Sequence, residues 1–88
     1  MIVKINKSFD KDISKIKTNN ILSKVYKLII QIQKTDKLTE IKHLKRLKGG
    51  YHYYRIRIGD YRVGIVIENE TIEFVRFLHR KDIYKYFP

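Results

Sequence analysis

Apolar residues recur along this chain with two different periods, and the change of period separates helical from extended stretches. Met1–Asn6 alternates short apolar and basic residues, which predicts a first strand. From Phe9 the spacing becomes helical: Phe9, Ile13 and Ile16 share a face, with Ser8 as the expected N-cap. Thr18-Asn19-Asn20 breaks that helix, and Asn19 or Asn20 is suited to cap the next one. Ile21, Leu22, Val25, Leu28, Ile29 and Ile32 then form the clearest amphipathic stripe in the chain. Lys24, Lys27 and Lys34 fall mostly off it. The two stretches make a helical hairpin whose apolar faces need a sheet to cover them.

Thr35–Lys48 is less regular. Ile41, Leu44 and Leu47 recur every three residues, which suits a helical turn or an ordered loop on the core. Gly49-Gly50 ends the segment, and Tyr51–Ile67 reads as two strands around a turn at Gly59-Asp60. Alternation puts Tyr53, Arg55 and Arg57 on one face and Tyr54, Ile56 and Ile58 on the other. His52 alternates onto the apolar side, where it reads as a core histidine with its polar atoms satisfied. A two-residue loop with glycine first predicts a type II′ hairpin. Its register pairs Ile58 with Tyr61, Ile56 with Val63, and Arg57 with Arg62.

Asn69-Glu70 supplies a second turn, and Thr71–Leu78 is apolar enough to predict a central strand covered on both faces. Arg76 fits its alternation poorly, since a tight turn at 69–70 would put it on the apolar face. Either a longer loop or a bulge would resolve the conflict. His79–Tyr84 leaves the strand into one last helical turn. The whole chain, 1–88, reads as one α+β domain. It has an N-terminal strand, a helical hairpin, then an antiparallel meander with helices on one face and the other face open and basic.

Charge changes this picture more than any other compositional property. Twenty basic residues against nine acidic ones give a formal charge of +11, which implies a polyanionic partner. All six arginines lie from Arg46 onward, whereas residues 1–40 carry only lysine. Arginine offers a planar fork suited to bidentate phosphate contact; lysine is a hydrated point charge that decorates solvated faces. Like charges directly opposite on a sheet are destabilising. The Arg57–Arg62 pairing therefore points to an anion on that face. Lys42, His43, Lys45, Arg46 and Lys48 stand beside it and suit either a solvated face or a nucleic-acid backbone.

Other chemistries are poorly represented. The chain has no cysteine, and His43, His52 and His79 show no metal-ligand spacing. Serine occurs only at 8, 14 and 23, in helical context, and the acidic residues are scattered. No apolar run approaches the roughly 20 residues of a membrane span. The N-terminus reads as a strand rather than a signal peptide, so a cytoplasmic protein is expected. Arginines with a hydroxyl or imidazole suit a phosphodiester. In RNA the 2′-hydroxyl already sits beside its own phosphate, so an enzyme need supply only charge stabilisation and proton transfer.

Three segments sharpen that expectation: Leu47-Lys48-Gly49-Gly50, the run Tyr54–Val63 (Tyr-Arg-Ile-Arg-Ile-Gly-Asp-Tyr-Arg-Val), and Leu78–Tyr84 (Leu-His-Arg-Lys-Asp-Ile-Tyr). In this order they resemble the RelE/ParE superfamily of toxin–antitoxin toxins, closest to the RelE-type messenger-RNA interferases, over essentially the whole chain. The resemblance implies a RelE-like fold and a metal-independent endoribonuclease without a cofactor. Such a toxin cleaves messages in the ribosomal A site by 2′-hydroxyl attack. It further implies that Arg55 and Arg57 face the message backbone and scissile phosphate, where relatives also use lysine. Arginine keeps that charge and does not release a proton at neutral pH. By the same resemblance Arg62 stabilises the pentacovalent phosphate, and Arg80 binds phosphate or neutralises the leaving oxygen. Tyr84 transfers a proton or stacks on a base. Lys45, Arg46, Lys48 and Lys81 are the remaining expected RNA contacts, and His79 reads as structural. The implied partners are a cognate antitoxin, in a heterotetramer or larger assembly, and the ribosome with its message. A ParE-type gyrase inhibitor and a non-catalytic RNA-binding module are the alternatives.

Overall fold

Five strands form one sheet in the spatial order β1 (Ile2–Ile5), β5 (Thr71–His79), β4 (Tyr61–Glu68), β3 (Tyr53–Ile58), β2 (Leu44–Arg46). β1 runs parallel to β5, and every other neighbouring pair is antiparallel. This computed structural model describes residues 1–50 and 52–88; Tyr51, the first residue of the expected hairpin, lies outside the described residues. Helices α1 (Lys7–Ser14) and α2 (Asn19–Gln33) follow β1, and a short α3 (Ile83–Tyr86) follows β5. The α+β architecture matches the expected element order. No helix among the described residues is long and apolar enough to cross a membrane.

The helical stripes meet the sheet on one face. Phe9 of α1 packs edge-on against Phe74 and Phe77 of β5, with ring centroids 5.3 and 6.1 Å apart. Val25 and Ile32 of α2 are buried with Ile56, Ile58, Val63, Ile65 and Ile72 of the sheet. The helix boundaries differ from expectation. Asn6, not Ser8, caps α1: it takes an extended conformation and its Oδ1 accepts from the Ser8 N–H at 3.0 Å. Thr18 occupies the N-cap position of α2 without a side-chain bond, so Asn19 and Asn20 are already helical.

Two strand assignments also differ. Leu44–Arg46 is a short edge strand, neither a helical turn nor a loop; the helical turn of that segment among the described residues is a 3₁₀ turn at Leu38–Glu40. Three residues are too few for an alternation signal to emerge. The middle of the sheet is β4, with β5 second from the edge. Its apolar character has another origin, because β1 pairs only with Thr71–Phe74 and leaves the rest of that edge to α1.

That edge is closed by α1 and its N-cap residue, through one backbone and two side-chain bonds. The Asn6 N–H donates to the Phe74 carbonyl at 2.9 Å, and the Ser8 hydroxyl donates to the Val75 carbonyl. The Phe77 N–H donates to Asp12 Oδ2 at 2.9 Å. Exposed strand edges invite pairing with other chains, so these bonds remove a hazard while fixing α1. The register slips between Gly64 and Ile65, whose partners are Arg76 and Phe74. Val75 is thus the extra residue of a bulge. The turn at 69–70 stays tight, with Asn69 at φ +56° and Glu68 paired to Thr71. The bulge turns Arg76 away from the apolar face. Its guanidinium reaches buried Asp12 through Nε at 2.7 Å and Nη2 at 3.2 Å. That hydrogen bond, then the Asp12 charge, raise the Arg76 pKa against the opposing effect of burial.

Asp12 therefore holds three donors at 5% exposure. Asp12→Ala would strand the Phe77 N–H and a partly buried guanidinium. We expect it to destabilise the fold by about 2–4 kcal/mol, read as a lower urea midpoint, since breaking one side of a buried pair costs several kcal/mol.

Candidate functional site

Gly59 and Asp60 turn β3 into β4. Gly59 takes φ +56° and Asp60 a negative φ, the combination a type II′ turn requires. The resulting register pairs Arg57 with Arg62, Ile56 with Val63 and Ile58 with Tyr61. On the face away from α1 and α2, one row across the sheet reads Lys45, Arg55, Gly64, Arg76. The next row reads Arg57, Arg62, Leu78.

This face is not wholly open, contrary to expectation. Phe87 lies across its centre, only 4% exposed. Gly64 permits this, because a Cβ there would stand 2.7 Å from the Phe87 ring. Tyr53 meets the same ring edge-on at 5.8 Å, and Arg76 sits 5.6 Å from the centre of the Tyr86 ring. The C-terminal segment thus covers part of the sheet and leaves the arginines near the Gly59-Asp60 turn uncovered by it. Tyr84 and Tyr86 are both exposed, the first at 57%.

Electrostatically the cluster centres on Arg62. Its pKa is pulled below the ordinary arginine value, first by desolvation, then by the charges of Arg55, Arg57 and Arg80, while Tyr84 acts in the opposite direction. Arg62 Nη1 donates to the Gly59 and Tyr61 carbonyls, each at 2.9 Å, which holds the guanidinium beside the turn. Arg80 joins from the end of β5: its N–H donates to the Asp60 carbonyl at 2.7 Å, and its Nε lies 3.9 Å from Asp60 Oδ1. Both side chains of that ion pair are more than half exposed, so it contributes little stability.

Lys45, Arg46 and Lys48 line a cleft of about 340 Å³ with Tyr84, Phe87 and Pro88. The structure thus brings Tyr84 beside the basic segment. Lys81 is exposed on the turn after β5, where its backbone N–H donates to His79 Nδ1 at 3.2 Å. His79 packs edge-on against Tyr61 at 5.7 Å. His52 is a correction: it is exposed, not a core residue, with Nδ1 3.0 Å from the Ile67 carbonyl. The strand begins only at Tyr53, so strict alternation does not reach residue 52.

Sequence reasoning placed His43 in the basic segment 42–48 but gave it no individual role. It precedes β2 with φ +62°, a conformation in which histidine is enriched several-fold among non-glycine residues. Its carbonyl accepts from Arg55 Nη1 at 2.7 Å, and its ring Nδ1 lies 3.0 Å from Arg57 Nη2. Arg55 Nε is buried and has no hydrogen-bond partner among the described residues. Three guanidiniums, those of Arg55, Arg57 and Arg62, are thus held by backbone carbonyls and one imidazole, an arrangement suited to an anion. No cluster of three or more His, Cys, Asp or Glu residues that could hold a metal occurs among the described residues.

Comparison with known proteins agrees on one family. Residues 3–84 match the family described as the ParE toxin of type II toxin–antitoxin system, parDE. Two Methanocaldococcus jannaschii proteins are similar. "Toxin RelE3" is 42% identical with the full length of both chains covered, and "Putative toxin RelE1" is 34% identical over 91% of this chain and 89% of the relative. The toxin in a RelB–RelE antitoxin–toxin complex from Methanococcus jannaschii superposes with a TM-score of 0.82 at 39% identity, covering 97% and 99% of the two chains. A chain of the RelBE2 toxin–antitoxin complex from Mycobacterium tuberculosis shares the fold, with a TM-score of 0.71 at 21% identity over 92% of each chain.

An anion site built from crowded cations has a direct thermal consequence. Inorganic phosphate at constant ionic strength should raise the melting temperature, by the equivalent of about 1.4 kcal/mol at tenfold excess over its dissociation constant. The rise should shrink in Arg57→Ala and Arg62→Ala. An equal rise in all three proteins would put the anion elsewhere.

Proposed function

The chain belongs to the ParE toxin family of type II toxin–antitoxin systems, and from that membership we propose that it is a RelE-type toxin that cleaves messenger RNA in the ribosomal A site. The observation that carries this proposal is the hairpin register, which sets Arg57 opposite Arg62 on the face that also bears Arg55, with Arg80 bonded to the same turn. In the reaction the 2′-oxygen attacks the adjacent phosphorus and the bond to the 5′-oxygen breaks, leaving a 2′,3′-cyclic phosphate and a 5′-hydroxyl. Arg62 stabilises the negative charge that accumulates on the phosphoryl oxygens, assisted by Arg55. Arg80 neutralises the leaving 5′-oxygen, and the Tyr84 hydroxyl relays the proton, taking it from the 2′-oxygen and giving its own to the 5′-oxygen. Arg57, Lys45, Arg46, Lys48 and Lys81 hold the flanking backbone. No step needs a metal.

The ribosome supplies the message in this proposal, and the cytoplasm is the place of action. A RelB-type antitoxin neutralises the toxin, by analogy with the RelB–RelE complex, and the proposed assembly is a heterotetramer or larger. The match to the ParE family supports a second reading, inhibition of gyrase without nuclease chemistry. The Arg55–Arg62–Arg80–Tyr84 set favours RNA cleavage over both that reading and a non-catalytic RNA-binding module.

Cleavage of a defined message, with and without ribosomes, separates these functions. The parent should cut only ribosome-bound message. Arg62→Ala should cut about 10²–10³ times more slowly, the usual cost of losing one preorganised donor. Its stability should stay within about 1 kcal/mol of the parent, because relief of the Arg57 repulsion offsets the lost turn bonds. Tyr84→Phe should also slow cutting if its hydroxyl carries the proton. Parental cutting by Arg62→Ala would remove the phosphate-site assignment. Loss of gyrase supercoiling without any RNA cleavage would move the second reading ahead.

A further inference from the structure

Among the described residues, His43 hydrogen-bonds the guanidiniums of both strand arginines on β3, and it does so through two different groups. Its carbonyl holds Arg55 Nη1 at 2.7 Å; its ring nitrogen meets Arg57 Nη2 at 3.0 Å. A guanidinium has donors and no acceptor. Nδ1 must therefore be the acceptor, which puts the proton of the neutral ring on Nε2. The left-handed φ of +62° aims the carbonyl and the ring at adjacent residues of one strand face. An ordinary extended residue entering β2 would leave that geometry unmade. Strained conformations of this kind persist where the surroundings over-determine them, and they cluster at functional sites.

Left alone, Arg55 and Arg57 would separate and drift, since Lys45 and Arg62 lie directly opposite them. Lys42 and Lys24 share a cavity with His43 and Arg57, and no carboxylate lines it. Coulomb repulsion thus pushes on Arg57 from several sides, and the imidazole supplies a neutral restraint. We propose that His43 is the positioning residue of this site: it sets Arg55 and Arg57 against the substrate phosphates and touches no reacting atom itself. This inference rests on the ribonuclease proposal for the chemistry it serves, but its geometry can be tested without cleavage.

Two variants separate the roles of backbone and ring. His43→Gly keeps access to positive φ and keeps the carbonyl, but removes the Arg57 acceptor. His43→Asn tolerates the same φ and places Oδ1 the same number of bonds from Cα as Nδ1. The glycine variant should retain the parental melting temperature yet lose on the order of 10-fold to 10²-fold in kcat, the scale of a displacement of about 1 Å. The asparagine variant should recover most of that loss. Binding of a 2′-deoxy-substituted message oligonucleotide, which cannot be cut, should follow the same order. Parental cleavage and binding in both variants would overturn the inference, as would equal impairment of both.

If the parent cuts no message at all, the function proposal fails while the positioning role is still decided by nitrogen NMR of the ring. His43 should show an unprotonated, hydrogen-bonded Nδ1 that changes on Arg57→Ala. A proton on Nδ1, or no response to Arg57→Ala, would overturn it.

Discussion

The register of the β3–β4 hairpin is the constraint on which the site depends. A two-residue turn leaves no slack, and a slip of one residue would carry every arginine of the hairpin onto the apolar face. With Gly59 at positive φ, Arg57 must face Arg62 and Ile56 must face Val63. Burial of Ile56, Ile58, Val63 and Ile65 then holds like charges opposite one another. Repulsion across one such pair is a fraction of a kcal/mol to about 1 kcal/mol. Each fully buried aliphatic side chain contributes about 1.5–3 kcal/mol. Apolar packing wins, and the molecule carries a crowded cationic surface suited to an anion.

The other elements extend the same arrangement. The bulge at Val75 turns Arg76 to the basic face, where Asp12 neutralises it from α1. Arg76 is consequently a structural cation, unlike Arg62, whose hydrogen bonds go only to the turn's own carbonyls. Gly64 admits Phe87, and the C-terminal segment fastened there brings Tyr84 within the field of Arg62 and beside Lys45 and Lys48. One glycine without a side chain thus connects the packing of the chain end to the chemistry of the face.

How much of this could be read from the residues depended on the range of each interaction. The hairpin was legible because period-two alternation and a Gly-Asp turn are local signals. The misfit of Arg76 correctly announced an irregularity, but choosing the bulge required its partner Asp12, 64 positions away. Leu44–Arg46 was missed because apolar residues every third position imitate a helix. Asn6 was passed over as a cap because Ser8 stands closer to the apolar stripe. The candidate arginines and Tyr84 came from resemblance and alternation together, and their convergence around Arg62 is a property of the folded chain. His43 left one usable signal, its tolerance of positive φ before a strand. Gly64 left another, as an isolated glycine inside an apolar strand.

The central claim is that the face carrying Arg55, Arg57, Arg62 and Arg80 is where a substrate phosphate sits. The most direct measurement is a nitrogen–proton NMR titration of the arginine side chains with a message-like oligonucleotide made uncuttable by a 2′-deoxy substitution. The Nε signals of these four arginines should shift together and saturate at one concentration, with Arg76, held by Asp12, much less affected. Nε signals of these four arginines that stay unmoved while the oligonucleotide binds would contradict the account.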